Sequence, residues 1–485
     1  QRNTAMGRDA LRLNTTGSFN TTVGHNSLEN NTTASNNTAL GYEALKANTT
    51  GTENVAVGAN ALDANTTASS NTAVGNAALG SSTTASNNTA IGQAALFANT
   101  TGTENVSVGA FALDANTTGN TNTAIGYVAL SSNASGASNT AVGRAALFTN
   151  TASNNTAVGK EALKLNTTGA NNTAVGLSAL FANTTGDQNV AIGANALDAN
   201  TTADRNTAIG TSSLGTNSTG ANNTSVGYAA LFNNTTASDN TAVGYQSLLA
   251  NTTGSECVAV GALSLDANTT GDENTAIGKS ALGSNTTGEF NTAVGKSALF
   301  SNTTASNNTA VGRQALNQNT TGTQNVAVGS SALVLNTTGE KNVAVGSLAL
   351  DANTTANENT AVGYTALGNT TTGGFNTAIG TAALRNTTTG ANNVSVGRDA
   401  LIANTTASDN TAAGFHALQV NTTGANNVAI GSLALDGNTT ASSNTAIGYS
   451  SMGNATVTGG DNTSVGKESG RDISSGTLNT CIGRA

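Results

Sequence analysis

Apolar residues return along this chain with a period of seventeen. In the stretch Asn88–Glu104, N-T-A-I-G-Q-A-A-L-F-A-N-T-T-G-T-E, the aliphatic residues fall within the first eleven positions, and the last six are polar or Gly. Counting Asn88 as position one, position four is Ile91, position five Gly92, position nine Leu96 and positions twelve to fourteen Asn99-Thr100-Thr101. Copies open every seventeen residues from Asn3 to Asn139, then after sixteen at Asn155. From there the period is unbroken to Asn444, apart from Cys257 standing once for Asn, and the last two copies open at Asn462 and Asn479. A fixed short period of this kind predicts a stacked solenoid, because one short repeat cannot bury enough surface to offset its own ordering entropy.

Positions one to five, typically N-T-A-V-G, predict a short strand, since β-branched residues alternate with small ones. Positions two and four then share one face, Thr or Val with Val or Ile, and positions three and five the other, Ala with Gly. The Val/Ile and Leu columns are expected to line up between rungs as the core. The Ala/Gly face is expected to let another backbone approach, within a flattened roll or in a sister chain. Position five is Gly in every copy from Gly7 to Gly483, which predicts positive φ or no room for a Cβ. Positions six to eleven predict a second extended segment, six residues being too few for a stable helix. Positions twelve to seventeen carry turn chemistry. The fold class is therefore all-β: a β-solenoid or β-roll of about 29 tandem repeats. At ~4.8 Å per strand this stack is on the order of 140 Å long. Residues 1–461 read as one continuous solenoid and 462–485 as atypical terminal rungs, where Leu gives way to Met452 and then Gly470.

Composition changes this picture little. The 485 residues include no Pro, no Trp and 56 Gly, with 9% charged residues and a net charge of −9, which gives no polyanion-binding surface. Nucleic acid is accordingly excluded as a partner. No apolar run reaches membrane-spanning length. Two cysteines more than two hundred residues apart make neither a disulfide framework nor a metal site. The chain opens on Gln1 without Met and closes on Ala485 two residues after the Gly of a new repeat, so both ends read as cuts in a longer protein.

The strand motif carries a resemblance. N-T-A-V-G and N-T-A-I-G followed by x-x-A resemble the head repeats of trimeric autotransporter adhesins, and similar tandem copies occur in tail-fibre-type proteins. The likeness spans all rungs, chiefly positions one to eight; A-L-x-x-N-T-T-G is not the family's second half. It implies a β-roll of three chains in an extracellular or cell-surface fibre whose partners are sister chains, surface carbohydrate or a host receptor; regular rungs with exposed edge strands also allow end-to-end stacking into a filament.

No catalytic, cofactor or metal site emerges. Polysaccharide cleavage generally needs two carboxylates ~5–9.5 Å apart. The position-ten acids Asp63, Asp114, Asp198, Asp266, Asp351 and Asp436 recur at least three rungs apart, roughly 14 Å. Glu256 and Glu273 share position seventeen on adjacent rungs, where a solvated turn is the simpler reading. His25 and His416 read as surface residues. Cys257 reads as a tolerated small residue or a chain contact, and Cys481 as buried. All six Tyr fall at position six, while Phe97, Phe148, Phe181, Phe232 and Phe300 fall at position ten, outward or toward a sister chain.

The most repeated polar feature is N-x-S/T, expected in surface turns. It makes candidate glycosylation sites of Asn14, Asn48, Asn65, Asn99, Asn116, Asn166, Asn183, Asn200, Asn234, Asn251, Asn268, Asn285, Asn302, Asn319, Asn336, Asn353, Asn404, Asn421 and Asn438. The competing reading is purely structural, with Asn and Thr ladders closing the turns. An ice-binding Thr array ranks third, because neighbouring Thr residues in a strand face opposite ways.

Overall fold

The computed structural model describes residues 2–453 and 456–484; Gln1, Asn454, Ala455 and Ala485, which fall in the expected domain and at its expected cut ends, lie outside the described residues. The chain is all-β, a parallel β-solenoid of seventeen-residue turns, and it divides into two compact units, Gln1–Asn240 and Thr241–Ala485.

The first unit holds fourteen three-residue strands, from Thr4–Met6 to Thr224–Val226. Within the unit each strand pairs in parallel with its neighbours one repeat away. Thr89, Ala90 and Ile91, for example, stand level with Val106, Ser107 and Val108. The second unit repeats this with fifteen strands, from Thr241–Val243 to Thr480–Ile482. There Thr360, Ala361 and Val362 stand level with Thr377, Ala378 and Ile379. Levelled pairing puts like residues in columns, so each backbone N–H and C=O of a strand has its partner one rung away.

The strand's inner face is the small one. Ala90 and its column neighbours Ala73 and Ser107 are fully buried, as are Ala95 at position eight and Leu96 at position nine. Ile91 at position four is 39% exposed. This corrects the expected core: Leu and Ala columns fill it, and the Val/Ile column lies outside. Of the two partners expected for the Ala/Gly face, the backbone of the same chain is the one found, Gly92 lying against Gly109. Asn at position one, Ala at three and Gly at five share the inner face and pack beside Leu; the branched Thr22 at position three is also buried, its hydroxyl donating to the Ser27 carbonyl at 3.0 Å. Where Ser107 replaces Ala inside, its hydroxyl donates to the Ala112 carbonyl at 2.7 Å, so the buried polar group is satisfied.

Gly92 meets both expectations for position five. Its φ is +136°, and a Cβ there would sit 2.5 Å from the Gly109 carbonyl oxygen. Positions six to eleven are not a second strand. They form a turn with left-handed residues at positions seven and nine, Ala94 (φ 52°) and Leu96 (φ 53°). The second left-handed corner aims Leu inward, and the segment still pairs between rungs, as in Leu96 N–H to Ala112 O at 3.0 Å. In the last full rung Gly470 (φ 57°) takes the Leu position, and a Cβ on it would stand 3.0 Å from Ile473 Cδ1. Ile473 thus lies against the space that Leu occupies elsewhere.

Candidate functional site

The polar turn is an internal scaffold. Asn99 Nδ2 donates to the Gly102 carbonyl at 2.9 Å, and Asn116 Nδ2 donates both to Gly119 O at 3.0 Å and to Asn99 Oδ1 at 2.8 Å. Position-one Asn joins from the other side. Asn88 Nδ2 reaches the same Gly102 carbonyl at 2.9 Å, and Asn105 N–H donates to Asn88 Oδ1 at 2.9 Å. Two Asn ladders therefore converge on one carbonyl per rung, next to a core otherwise made of Ala and Leu.

This corrects the expectation that the N-T-T asparagines stand on the surface. Eighteen of the nineteen, from Asn48 to Asn438, are fully buried; Asn14, in the first rung, is half-buried. Nδ2, the atom that carries an N-linked glycan, is committed in residues such as Asn48, Asn65, Asn116, Asn183 and Asn336 to two ladder acceptors. A glycan there would displace an acceptor and occupy a filled interior. The outward groups are the threonines. Thr100 Oγ1 donates to Thr117 O at 3.0 Å, and Thr101 at position fourteen is exposed.

Cys257 is buried in a position-one slot, its Sγ 3.3 Å from the Gly271 carbonyl, where other rungs place Asn Nδ2. Burial pushes its thiol up to about 11, so it stands protonated and enclosed, which rules out the chain contact weighed for it. Cys481, expected buried, is half-exposed in the terminal rung.

Position ten forms an outward column with its own order. Asp63, Asp198, Asp266, Asp351 and Asp436 are each followed one rung later by Gly, at 80, 215, 283, 368 and 453. In three cases Phe follows that Gly, and the ring lies over it: a Cβ on Gly80, Gly215 or Gly283 would meet Phe97, Phe232 or Phe300. A Cβ on Gly283 would also stand 3.4 Å from Asp266 Oδ1. These rings therefore pack along their own column. Desolvation raises the pKa of all five Asp carboxyls above the ordinary range. Asp114, followed by Ser131, instead accepts a 2.5 Å hydrogen bond from the Ser131 hydroxyl.

Glu256 and Glu273 are both exposed. His25 is half-buried and stacks on Tyr42 with ring centres 5.5 Å apart, and His416 Nε2 lies 3.3 Å from Asp399 Oδ2. Among the described residues no three His, Cys, Asp or Glu side chains gather to hold a metal, and no helix is long and apolar enough to cross a membrane.

Two surface features were not legible as sites. One is a groove of about 260 Å³ lined by Tyr127, Arg144, Ala145, Phe148, Glu161 and Lys164, in which Lys164 Nζ approaches Glu161 at 3.5 Å. The other is the outward face of the strands: Thr or Val at position two, and Val or Ile at position four, 36–42% exposed at Ile91, Ile125, Val328 and Ile379. The signal for that face was repeat-to-repeat variation, since positions one, three and five are nearly fixed while two and four alternate among residues of different bulk.

Set against known proteins, the chain matches no family model and no curated protein.

Proposed function

We propose that this chain is a structural shaft: a stiff, non-catalytic segment of an extracellular or cell-surface fibre that associates with sister chains. One observation carries the reading. Rungs are tied to one another by levelled strand pairing and by two Asn ladders, in which Ser82, Cys257, Thr370 and Thr387 each replace Asn once, so most rungs contribute the same kinds of bond. An array in which each repeat contacts only its neighbours suits a spacer whose length follows repeat number. Extracellular display and adhesion rest on the likeness of N-T-A-V-G to adhesin head repeats. A glycan coat, on this reading, is O-linked and carried by exposed position-fourteen threonines such as Thr101.

Cryo-electron microscopy of the isolated full chain tests the shaft. The expected particle is elongated with an axial repeat of ~4.8 Å; a compact particle without that repeat overturns the reading.

The groove at Tyr127 and Phe148 supports a second reading, a tail-fibre-type carbohydrate-binding segment, because two aromatic rings beside Arg144, Glu161 and Lys164 offer both stacking and hydrogen bonding. Titration with mono- and disaccharides, followed by Tyr fluorescence, checks it against Phe148→Ala; responses identical in both proteins remove it.

A further inference from the structure

The groove beside Tyr127 and Phe148 is bordered by two columns of side chains. At position six Tyr127, Arg144 and Lys160 follow one another on successive rungs, and at position ten Phe148 is followed by Lys164 and Phe181. Parallel rungs step by ~4.8 Å, so each side chain stands within reach of the next in its column. The backbone beneath them is fixed: Ala145 N–H donates to Tyr127 O and Glu161 N–H to Arg144 O, each at 3.0 Å. The rung that carries Arg144 and Phe148 is the sixteen-residue one, yet its missing residue falls in the polar turn, where Asn150 Nδ2 reaches Ala152 O at 2.8 Å. Positions six to ten therefore keep their level with the neighbouring rungs, and the groove has its shape before any ligand arrives.

Its charge is unlike that of the whole molecule. Residues 115–186 hold three bases, Arg144, Lys160 and Lys164, against one acid, Glu161, whereas the full chain has 26 acids to 17 bases. Glu161 lies 3.5 Å from Lys164 Nζ, and that ammonium also stands over the Phe181 ring, 5.5 Å from its centre. Just before this stretch, Asp114 accepts the Ser131 hydroxyl. Arg144 and Lys160 are exposed and enter no ion pair among the described residues. Two cations are thus left uncompensated beside Tyr127, which is 53% exposed. The groove, about 260 Å³, lies below the ~300–1,000 Å³ of sites for drug-sized ligands and has the size for one sugar ring.

We propose that this groove binds a carboxylated sugar, a uronic-acid unit of an acidic polysaccharide. The inference rests on the carbohydrate-binding reading above and adds the charge and class of the sugar. The apolar face of a pyranose ring lies against Tyr127 and Phe148, whose rings offer flat apolar area. Its carboxylate meets the Arg144 guanidinium, a planar fork that matches two carboxylate oxygens at once. Lys160 supplies a second positive charge one rung further on. Glu161, an acceptor only, takes hydrogen bonds from the sugar hydroxyls. A neutral sugar makes the stacking and the Glu161 contacts but leaves both uncompensated cations in water.

Isothermal titration calorimetry of the full chain is the test, with three probes of equal length: an oligogalacturonate, the neutral galactose oligomer and a sulfated galactose oligomer of the same charge. Circular dichroism verifies that each variant is folded. The oligogalacturonate is expected to bind at one site per chain, about tenfold or more tighter than either other probe, since a hydrogen bond to a charged group is worth that factor. Its affinity is expected to fall between ~50 mM and ~500 mM salt. Arg144→Gln with Lys160→Gln, both at exposed positions, is expected to bring it down to the neutral oligomer's level. Lys296→Gln with Arg313→Gln, an exposed position-six pair of the same charge in the second unit without a flanking Tyr, is expected to change nothing. Equal binding of the neutral and acidic oligomers, or equal losses in the two double variants, overturns the acidic-sugar assignment and leaves the carbohydrate reading standing. Equal binding of the sulfated oligomer overturns the carboxylate assignment. Binding of none of the three removes both readings.

Discussion

The two faces of one strand differ more than any two rungs do. On the inner face of Thr89–Ile91, Ala90 packs beneath Leu96 and between the Asn88 and Asn99 ladders, every polar atom committed. On the outer face Thr89 and Ile91 meet no other part of their own rung's core, and Ile91 is more than a third exposed. In most domains the branched aliphatic side is the buried one. Here Ala, Leu and Asn fill the interior, and Val and Ile are turned outward. Stability therefore resides in the inner face, and the outer one stands partly exposed.

This contrast is broken most severely at position five. Gly92→Ala places a Cβ against the Gly109 backbone at a φ that L-residues rarely adopt. Its expected cost is above ~4 kcal/mol, read as lost amide-exchange protection in rungs 88–121; unchanged protection there would mean the backbone adapts. Next is Leu96→Ala, which empties a fully buried column position for about 2.5–5 kcal/mol. Because repeat arrays depart from two-state unfolding, the local exchange free energy is the proper measure. Asn99→Ala comes third. It removes the donor to Gly102 O and the acceptor for Asn116 Nδ2, for about 1–3 kcal/mol. A neutral result would show that the ladder only follows the fold.

A smaller effect of opposite sign comes from the position-ten column. Asp63, Asp198, Asp266, Asp351 and Asp436 have folded-state pKa values raised by desolvation. A carboxyl whose folded pKa exceeds its unfolded value makes the ionised fold less stable. That penalty is complete above the folded pKa and vanishes below the unfolded one. Thermal stability should therefore rise as pH falls from 7 through the raised values toward ~3.9. Replacing all five by Asn should raise the melting temperature at pH 7 and flatten this pH slope; parallel slopes in the two proteins would remove the account. The smallest change is expected at Ile91→Thr on the outer face, within about 0.5 kcal/mol for the isolated chain. A loss near that of Leu96→Ala would mean the outer face contributes to folding after all.

Much of the fold was open to the sequence. The unbroken period gave the stacking, Gly at position five gave the tight contact and positive φ, and Leu at position nine gave the buried column. The candidate site was less legible. N-T-T reads equally as surface sequon and as internal ladder, because a short turn exposes either its Asn or its Thr side chains depending on which way the chain bends. The left-handed corners at Ala94 and Leu96 carry no local signal, since neither residue favours that conformation; only inter-rung hydrogen bonding and the buried Leu hold them there.

The sequence alone determined that rungs repeat and stack and where Gly must stand, because those follow from period and from the absence of a Cβ. Only the tertiary structure decided which side of the strand is inside. An alternation of two supplies two faces and no preference between them. The choice fell to the direction in which the turn closes, which puts Asn and Ala at positions one and three inside beside Leu and leaves Val and Ile outside.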